Sequence, residues 1–452
     1  MSNSSAECTL MVSDVMCLAV VTLCTWSPDM TRSFVVLILF SFAIPCQADD
    51  WPQWGGPEGD IVWRESGIVD RFPTNGLLPR VWSVTVGEGY SGPAVAQGQV
   101  FLTDRLHEER TERVLCFDAE SGEQVWQKEY PARYTVSYPA GPRATPVIDD
   151  GRVFTIGAVG HMFCLDTKTG DEIWKTEFQK DFETEMPTWG MAAAPLVDGQ
   201  KLITLVGGSD GALVVAFDKD TGKEIWRALE DPAVGYAPPV IYEFGGRRQL
   251  IVWHPAAISS LDPETGEVIW EVPWEIGVGL SIPMPRKAGN HLFLTAFYNG
   301  PMLLKVGSDG AEVVWKGKSN SETNTDGLHS IMPTPWVSDE NIFGICSYGQ
   351  LRGLETKTGK RLWETLDATG SGRWWNAFII AHEDRFFLHN EQGDLIIANL
   401  TAGGYEEISR AKLVEPTRKV QRRMTIWSHP AFAMKSVFAR NDRELVRVNL
   451  AR

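Results

Sequence analysis

A short phrase of alternating polar and apolar positions recurs along most of the chain. A strand ends in an acidic residue, a turn with a Thr-Gly or Ser-Gly pair follows, and a second strand carries a tryptophan. Near-complete copies end at Trp126, Trp174, Trp226, Trp270 and Trp363. A degenerate copy ends at Trp315, and a copy without tryptophan ends at Ile408. Successive tryptophans from 126 to 363 lie 44 to 52 residues apart. This period predicts the four-stranded blades of a β-propeller.

Each part of the phrase has a physical role. The acidic side chain can accept hydrogen bonds from N–H groups of the turn, and the glycine can adopt the positive φ that a short hairpin requires. An indole buries about 200 Å² of surface. Because the register of the tryptophan in its hairpin is fixed, we expect it to pack as a wedge between neighbouring blades. The alternative is that the tryptophans stack on a ligand at an exposed rim.

A second phrase precedes each hairpin and marks the start of the innermost strand. In most copies it is a proline followed by apolar residues, which suits the first position of a strand because proline donates no ladder hydrogen bond. The copies begin at Pro93, Pro146, Pro195, Pro239, Pro283, Pro335, Ala377 and Pro430. These eight starts predict an all-β fold, an eight-bladed β-propeller of four-stranded antiparallel blades.

The same count predicts how the ring closes. Seven hairpin phrases follow the eight inner strands, while Trp82 lies in a strand without a blade of its own. We expect residues 81–86 to pair antiparallel with residues 444–449 and complete the last blade, which removes exposed sheet edges. The propeller then spans residues 81–452, after an N-terminal arm at 49–80. Deleting residues 49–60 should be mild if they merely cover the surface.

Residues 1–48 have the layout of an export signal. Arg32 precedes an apolar run at 34–44, and small residues end at Ala48. This run is too short to span a membrane and is typical of a secretory signal peptide. Met30 is then a candidate for the true start, the alternative being a long first region at 1–29. We expect an exported protein, periplasmic or extracellular, that is monomeric and has no membrane-spanning segment in its mature part.

The cysteines add little to this picture. A lipid anchor at Cys46 is not expected, because Pro45 stands where such signals have a small residue. The mature part keeps Cys116, Cys164 and Cys346, which are widely spaced and form no C-x-x-C pair. This pattern indicates neither a disulfide framework nor a zinc site.

The charge balance excludes one class of partner. The chain has 42 Lys and Arg against 58 Asp and Glu, a formal charge of −16. Nucleic-acid binding without sequence preference needs clustered basic residues that displace phosphate counterions. We therefore expect no nucleic-acid partner, and no attraction to an anionic membrane surface.

The loops that lead into the inner strands should line one mouth of the central channel. They are rich in glycine, serine and aromatic residues with a few polar groups, which is typical of a small-ligand pocket. The candidate ligand-binding residues are Tyr90, Ser91, Arg143, Trp189, Tyr236, His329, Trp374, Trp375, Asn376, Trp427 and His429. The alternative is that these aromatic side chains simply plug the channel.

No catalytic motif accompanies these loops. The sequence has no H-E-x-x-H zinc helix and no Walker loop. Glu183 and Glu185 form a carboxylate pair near one loop, and Asp326 with His329 forms a polar dyad. Both are weak signals, so we predict no catalytic residues and no metal site.

The repeated D-x-x-T-G-x-x-x-W phrase with its proline starts resembles the PQQ-like β-propeller repeat family over residues 82–452. That family includes quinoprotein alcohol dehydrogenases and the outer-membrane assembly factor B lipoprotein. Membership among the dehydrogenases would imply PQQ, a Ca²⁺ ion held by carboxylate and amide side chains, and a disulfide between adjacent cysteines. This chain has no adjacent cysteine pair and no set that matches the calcium ligands.

A complete repeat framework without a matched catalytic set favours an exported, non-catalytic propeller. We expect it to act as a binding or scaffold module for a segment of a cell-envelope protein or for a small ligand at the channel mouth, with no cofactor. Two alternatives stay open. The first is a PQQ- and Ca²⁺-dependent oxidoreductase, and the second is a polysaccharide-binding propeller that uses Trp374 and Trp375.

Overall fold

The computed structural model describes residues 50–452 apart from residues 75, 77 and 139. The predicted export signal therefore lies outside the described residues. Within the described part, the chain forms eight four-stranded antiparallel sheets and one separate two-stranded hairpin. The predicted eight-bladed, all-β propeller is confirmed. No helix in the described ranges is long and apolar enough to cross a bilayer.

The strands follow one another as a meander from the inside of each blade outwards. The first strand, β1 (Arg80–Thr85), belongs to the last blade and is described below. Blade 1 contains β2 (Ala94–Ala96), β3 (Gln99–Leu106), β4 (Thr111–Asp118) and β5 (Gln124–Pro131). Blade 2 contains β6 (Val147–Asp149), β7 (Arg152–Ile156), β8 (His161–Asp166) and β9 (Glu172–Glu177), followed by the short helix α1 (Phe178–Asp181). Blade 3 contains β10 (Leu196–Asp198), β11 (Lys201–Leu205), β12 (Val214–Asp218) and β13 (Glu224–Ala228).

The next three blades repeat this order. Blade 4 contains β14 (Val240–Phe244), β15 (Arg247–Trp253), β16 (Ala257–Leu261) and β17 (Val268–Pro273), followed by a 3-10 turn at Gly277–Gly279. Blade 5 contains β18 (Arg286–Ala288), β19 (His291–Ala296), β20 (Gly300–Val306) and β21 (Ala311–Lys316). Blade 6 contains β22 (Trp336–Val337), β23 (Asn341–Ile345), β24 (Leu351–Glu355) and β25 (Arg361–Thr365).

The last two blades bring the chain back to its beginning. Blade 7 contains β26 (Ala377–His382), β27 (Arg385–Asn390), β28 (Asp394–Thr401) and β29 (Gly404–Lys412), and the hairpin β30 (Arg418–Val420) with β31 (Arg423–Thr425) follows it. Blade 8 contains β32 (Ala431–Ala433), β33 (Ser436–Arg440) and β34 (Glu444–Asn449). Its outer strand is β1, which pairs antiparallel with β34, so that Trp82 lies opposite Arg447. An early strand thus completes the last blade.

The hairpin phrase forms as its chemistry predicts. In blade 1, the carboxylate of Asp118 accepts hydrogen bonds from the N–H groups of Glu120 (3.1 Å) and Ser121 (2.8 Å). The glycine that follows, Gly122, has a φ of 76°. Both groups hold the turn that leads into the tryptophan strand.

The repeat tryptophans join each blade to the next one. Their indole N–H groups donate to main-chain carbonyl oxygens in the following blade, in the pairs Trp82–Ala119, Trp126–Thr167, Trp174–Lys219, Trp226–Pro263, Trp315–Thr356 and Trp363–Thr401. In all of these pairs except Trp363–Thr401, the ring also packs on the hairpin glycine of that blade: a Cβ on Gly222 would lie 2.6 Å from Trp174. The tryptophans are therefore wedges between blades, and the glycine is needed for contact as well as for φ.

Trp270 is the exception, and a glutamine replaces the missing contact. The hairpin of the next blade is the degenerate copy that ends at Trp315, and nothing lies within 4 Å of a Cβ placed on its Gly310. Trp270 donates instead to the side-chain oxygen of Gln249 (2.7 Å), in its own blade. The side-chain nitrogen of Gln249 then donates to the carbonyl oxygen of Gly307 (2.7 Å) in the next blade. The link between blades is kept through one intermediate side chain.

The N-terminal arm is part of the core. Trp51 and Trp63 are each 1% exposed and pack in the largest apolar cluster of the structure. Trp51 exchanges main-chain hydrogen bonds of 2.7 and 2.9 Å with Val95 on the inner strand of blade 1. Residues 50–60 therefore do more than cover the surface, and the condition for a mild deletion is not met.

The arm also reaches inner strands on other sides of the channel. The N–H of Ile148 in blade 2 donates to the carbonyl oxygen of Pro52 (2.9 Å), and Trp63 donates to Ala381 (2.8 Å) in blade 7. Arg286 in blade 5 donates to the carbonyl oxygen of Gly59 (3.0 Å). Because these contacts come from several sides, the arm crosses the channel and fills part of it.

Candidate functional site

The loops leading into the inner strands and the arm enclose a cavity of about 210 Å³. Its wall is mostly aromatic and aliphatic, with few polar groups. The lining residues are Trp54, Tyr90, Tyr138, Arg143, Thr145, Trp189, Ala192, Ala194, Tyr236, Pro238, Leu280, Ile282, Met284, Ile331, Met332, Thr334, Trp374, Phe378, Trp427 and His429. The channel mouth therefore contains a pocket as well as aromatic packing.

Seven of the eleven candidate residues lie on this wall. They come from the loops before the inner strands of blades 1, 2, 3, 4, 7 and 8, and are Tyr90, Arg143, Trp189, Tyr236, Trp374, Trp427 and His429. That they bind a ligand stays a prediction.

The other four candidates do not line the cavity. The hydroxyl of Ser91 donates to the carbonyl oxygen of Thr103 (3.0 Å), and Ser91 is fully buried. The ring of Trp375 packs so closely on Gly370 that a Cβ there would lie 2.9 Å from it. Adjacent residues point in different directions, which is why Trp374 lines the cavity and Trp375 does not.

Asn376 and His329 are also buried behind the wall. The side-chain nitrogen of Asn376 donates to the carbonyl oxygen of Trp374 (3.3 Å). His329 contacts Asp326 (3.2 Å) through one ring nitrogen and the carbonyl oxygen of Phe297 (3.2 Å) through the other. Burial lowers the pKa of His329. The Asp326–His329 dyad therefore forms, but it holds a loop and faces no cavity.

The structure adds wall residues that the loops alone did not reveal. The residue just before an inner-strand proline lines the cavity in six blades, as Thr145, Ala194, Pro238, Ile282, Thr334 and His429. Gly92 has this place in blade 1, where a Cβ would lie 2.2 Å from His429. The position before each proline could be identified from the sequence. Most of the side chains there are apolar, however, so nothing in their chemistry marked them as wall residues. Trp54 comes from the arm.

Arg143 is the one charged side chain on the described wall. It donates to the main-chain carbonyl oxygens of Gly141 (2.8 Å), Ser137 (2.9 Å) and Tyr138 (2.6 Å). Its guanidinium carbon lies 4.8 Å from the centre of the Tyr90 ring. Burial lowers the pKa of Arg143, yet a guanidinium stays protonated at neutral pH. The wall thus carries one positive charge.

The remaining titratable wall groups are neutral. Burial lowers the pKa of His429 to about 4 and raises the pKa values of Tyr90 and Tyr236 to about 12. One ring nitrogen of His429 faces the carbonyl oxygen of Pro430 (3.2 Å) and must carry the proton, because a carbonyl only accepts. Its other nitrogen accepts from Thr145 (2.7 Å).

An Asp–His–Ser arrangement exists elsewhere, in blade 4, but it is not a nucleophile site. His254 contacts Asp231 (2.6 Å) and Ser259 (3.1 Å) through its two ring nitrogens. Ser259 has one hydroxyl proton, which it donates to the carboxylate of Glu271 (2.9 Å) and not to His254. Ser259 is also fully buried.

The residues near the cavity do not fit PQQ with Ca²⁺. The described wall has no carboxylate, and no cluster of three His, Cys, Asp or Glu in the described ranges could hold a metal. The nearest carboxylate and amide pair is Glu391 with Asn376, whose side-chain oxygen has no hydrogen-bond partner. Glu391 is already paired with Arg423. Calcium takes six to eight oxygen ligands, far more than this pair offers.

Comparison with known proteins supports the fold. The solved structures that share it include the following three. BamB from Moraxella catarrhalis has 17% identity and a TM-score of 0.57, covering 82% of this chain and 98% of its own. The quinohemoprotein alcohol dehydrogenase from Comamonas testosteroni has 15% identity and a TM-score of 0.60, covering 89% and 81%. A europium-containing methanol dehydrogenase has 13% identity and a TM-score of 0.58, covering 88% and 89%.

The sequence comparisons are more selective. No curated protein matches the chain by sequence. The sequence profile of one family, described as outer membrane protein assembly factor BamB, matches residues 110–251 and 255–452, which is most of the chain. The match extends over the repeat phrases of blades 1 to 7 and into the closing strands. The chain belongs to the family of the outer membrane protein assembly factor BamB.

Proposed function

We propose that this protein is an exported, non-catalytic propeller whose channel-mouth cavity binds a small ligand or an apolar segment of a cell-envelope protein. The observation that carries the proposal is the wall itself. It combines six aromatic side chains from the blade loops with Trp54 from the arm, and carries a single charge. Concave, mostly apolar sites with a few placed polar groups are the usual form of ligand pockets.

Two features favour binding over catalysis. The wall offers no carboxylate pair, and its histidine is neutral and fully engaged with Thr145 and Pro430. Membership in the assembly-factor family supports a cell-envelope protein as the partner. Addition of PQQ and Ca²⁺ to the purified protein tests the competing reading: a quinone absorbance that co-elutes, with dye reduction by alcohols or sugars, would overturn the proposal.

Polysaccharide binding has less support. That reading needs Trp374 and Trp375 to form an exposed pair on which sugar rings can stack. Trp375 is 5% exposed, so the pair offers only one face.

The binding test uses N-phenyl-1-naphthylamine, a neutral probe that fluoresces in apolar surroundings. Ala192 lies on the wall and faces the cavity volume, so Ala192→Phe should fill the site and reduce probe binding by about tenfold or more, since burying a ring is worth about 2 kcal/mol. Ala402→Phe is the matched control, because Ala402 is exposed in the β28–β29 hairpin. Equal binding by the two variants and the wild type would contradict a ligand site in this cavity.

Export rests on residues 1–48 and has its own test. If this segment is a signal peptide, the mature protein should be extracytoplasmic and begin at Asp49 or close to it. N-terminal sequencing of protein recovered from outside the cytoplasm reads this directly. Recovery of residues 1–29 in that protein would contradict the assignment.

A further inference from the structure

We infer that the ligand of the channel-mouth cavity is a small aromatic carboxylate, bound with its rings against the apolar wall and its carboxylate at Arg143. The inference rests on the proposed function and specifies the chemistry of the ligand. Four observations carry it: the charge on the wall, the state of Arg143, the charges behind the wall and the size of the cavity.

The sign of the charge is the first observation. The chain as a whole has a net charge of −16, yet the described wall contains one arginine and no acidic side chain. A cleft with low-dielectric walls focuses the field of the charges that line it. The cavity therefore favours an anion in a protein whose surface as a whole disfavours one.

The incomplete pairing of Arg143 is the second observation. Within the described residues, Arg143 has no ion pair and donates to three main-chain carbonyl oxygens. A guanidinium has five N–H donors, so two remain. Burying a charge is costly unless a counter-charge or hydrogen bonds compensate it. Because both Nη2 protons are used, a ligand carboxylate can accept one of the remaining N–H groups and place its charge beside the guanidinium.

The other arginines near the wall make Arg143 distinct. Arg418 lies over Tyr90 at 5.3 Å from the ring centre, and Arg373 lies over Trp374 at 4.5 Å. Neither lines the cavity, and both are already paired with carboxylates. Their partners are Asp442 at 2.9 Å and Glu322 at 2.6 Å. Of these three described arginines, Arg143 alone has no carboxylate at ion-pair distance.

The apolar wall and the volume set the rest of the ligand. The rings of Trp374, Trp427 and Tyr138 meet edge to face, with centres 5.4 to 6.4 Å apart. Aromatic groups add favourably to such arrangements. An engineered cavity of about 150 Å³ in another protein binds benzene. The present cavity, at about 210 Å³, accommodates one or two rings.

The test compares an anion with its neutral analogue. Isothermal titration and tryptophan fluorescence would measure 2-naphthoate and 2-naphthalenemethanol binding to the mature protein. We expect the wild type to prefer 2-naphthoate by roughly tenfold to hundredfold, the range for a hydrogen bond to a charged group. Arg143→Met should abolish this preference while leaving 2-naphthalenemethanol binding within about threefold.

Two controls keep the outcomes separate. Arg133→Gln alters an exposed arginine of the same connecting loop and should leave both affinities unchanged. Retained 2-naphthalenemethanol binding shows that Arg143→Met is folded. Equal affinities for the two probes in the wild type would overturn the carboxylate assignment and leave the proposed function intact. If neither probe nor N-phenyl-1-naphthylamine binds, the proposed function itself is overturned.

Discussion

At the scale of single residues, the repeat phrase encodes a contact between blades as well as a turn. The hairpin glycine has a positive φ and also lies against the tryptophan of the preceding blade. In five blades a Cβ on that glycine would lie 2.6 to 2.8 Å from the indole, at Gly122, Gly170, Gly222, Gly266 and Gly359. The contact is absent at Gly310, where Gln249 carries the link, and in the hairpin of blade 7, where Trp363 keeps its hydrogen bond to Thr401. The glycine and the tryptophan are therefore two halves of one interface.

This double role can be separated experimentally. Gly222 and Gly199 have similar φ values of 68° and 59°, but only Gly222 is close to an indole. Gly199→Ala should cost about 1–2 kcal/mol of unfolding free energy from backbone strain alone. Gly222→Ala should cost about 1–3 kcal/mol more, because the added methyl group overpacks the interface. Urea unfolding of both variants measures the difference, and equal losses would show that Trp174 moves aside freely.

At the scale of elements, the N-terminal arm contributes more to the structure than a segment that merely covers the surface. The indoles of Trp51 and Trp63 are buried, and the main chain of the arm bonds to inner strands across the channel. The propeller strands alone would leave those inner edges without partners at these positions. The arm thus acts as a ninth, irregular element that fills the channel below the cavity, and Trp54 contributes to the cavity wall.

A pair of substitutions tests the weight of the arm. Trp51→Ala should destabilise the protein by about 3–5 kcal/mol, as large core truncations do. Gln53→Ala is the control, because its side chain bonds only to Pro57 (3.0 Å) within the arm, and should cost under about 0.5 kcal/mol. Deleting residues 49–60 should cost at least as much as Trp51→Ala. Thermal melting that leaves the deletion as stable as the control would contradict the role of the arm.

At the scale of the whole molecule, the repeat determines most of what the sequence can reveal. The proline starts predict the inner strands, and the surplus strand at Trp82 predicts its pairing with the end of the chain, where it lies opposite Arg447. Such features depend on local chemistry repeated at a fixed interval. The roles of Trp54 and Gln249 depend on which distant segments meet, so no local sequence pattern predicts them. The cavity wall is predictable in part. Its positions recur at the start of each inner strand, but the residue types at those positions do not repeat.

The path of the arm has a consequence for the order of events during synthesis. Residues 51–63 emerge first, but their partners include Ile148, Arg286 and Ala381. The arm therefore cannot complete its contacts until the first strand of blade 7 has been made. Pairings across such long separations form slowly and leave apolar surface open to association. A factor that shields the nascent arm would act on this protein earlier, and for longer, than on a propeller with an empty channel.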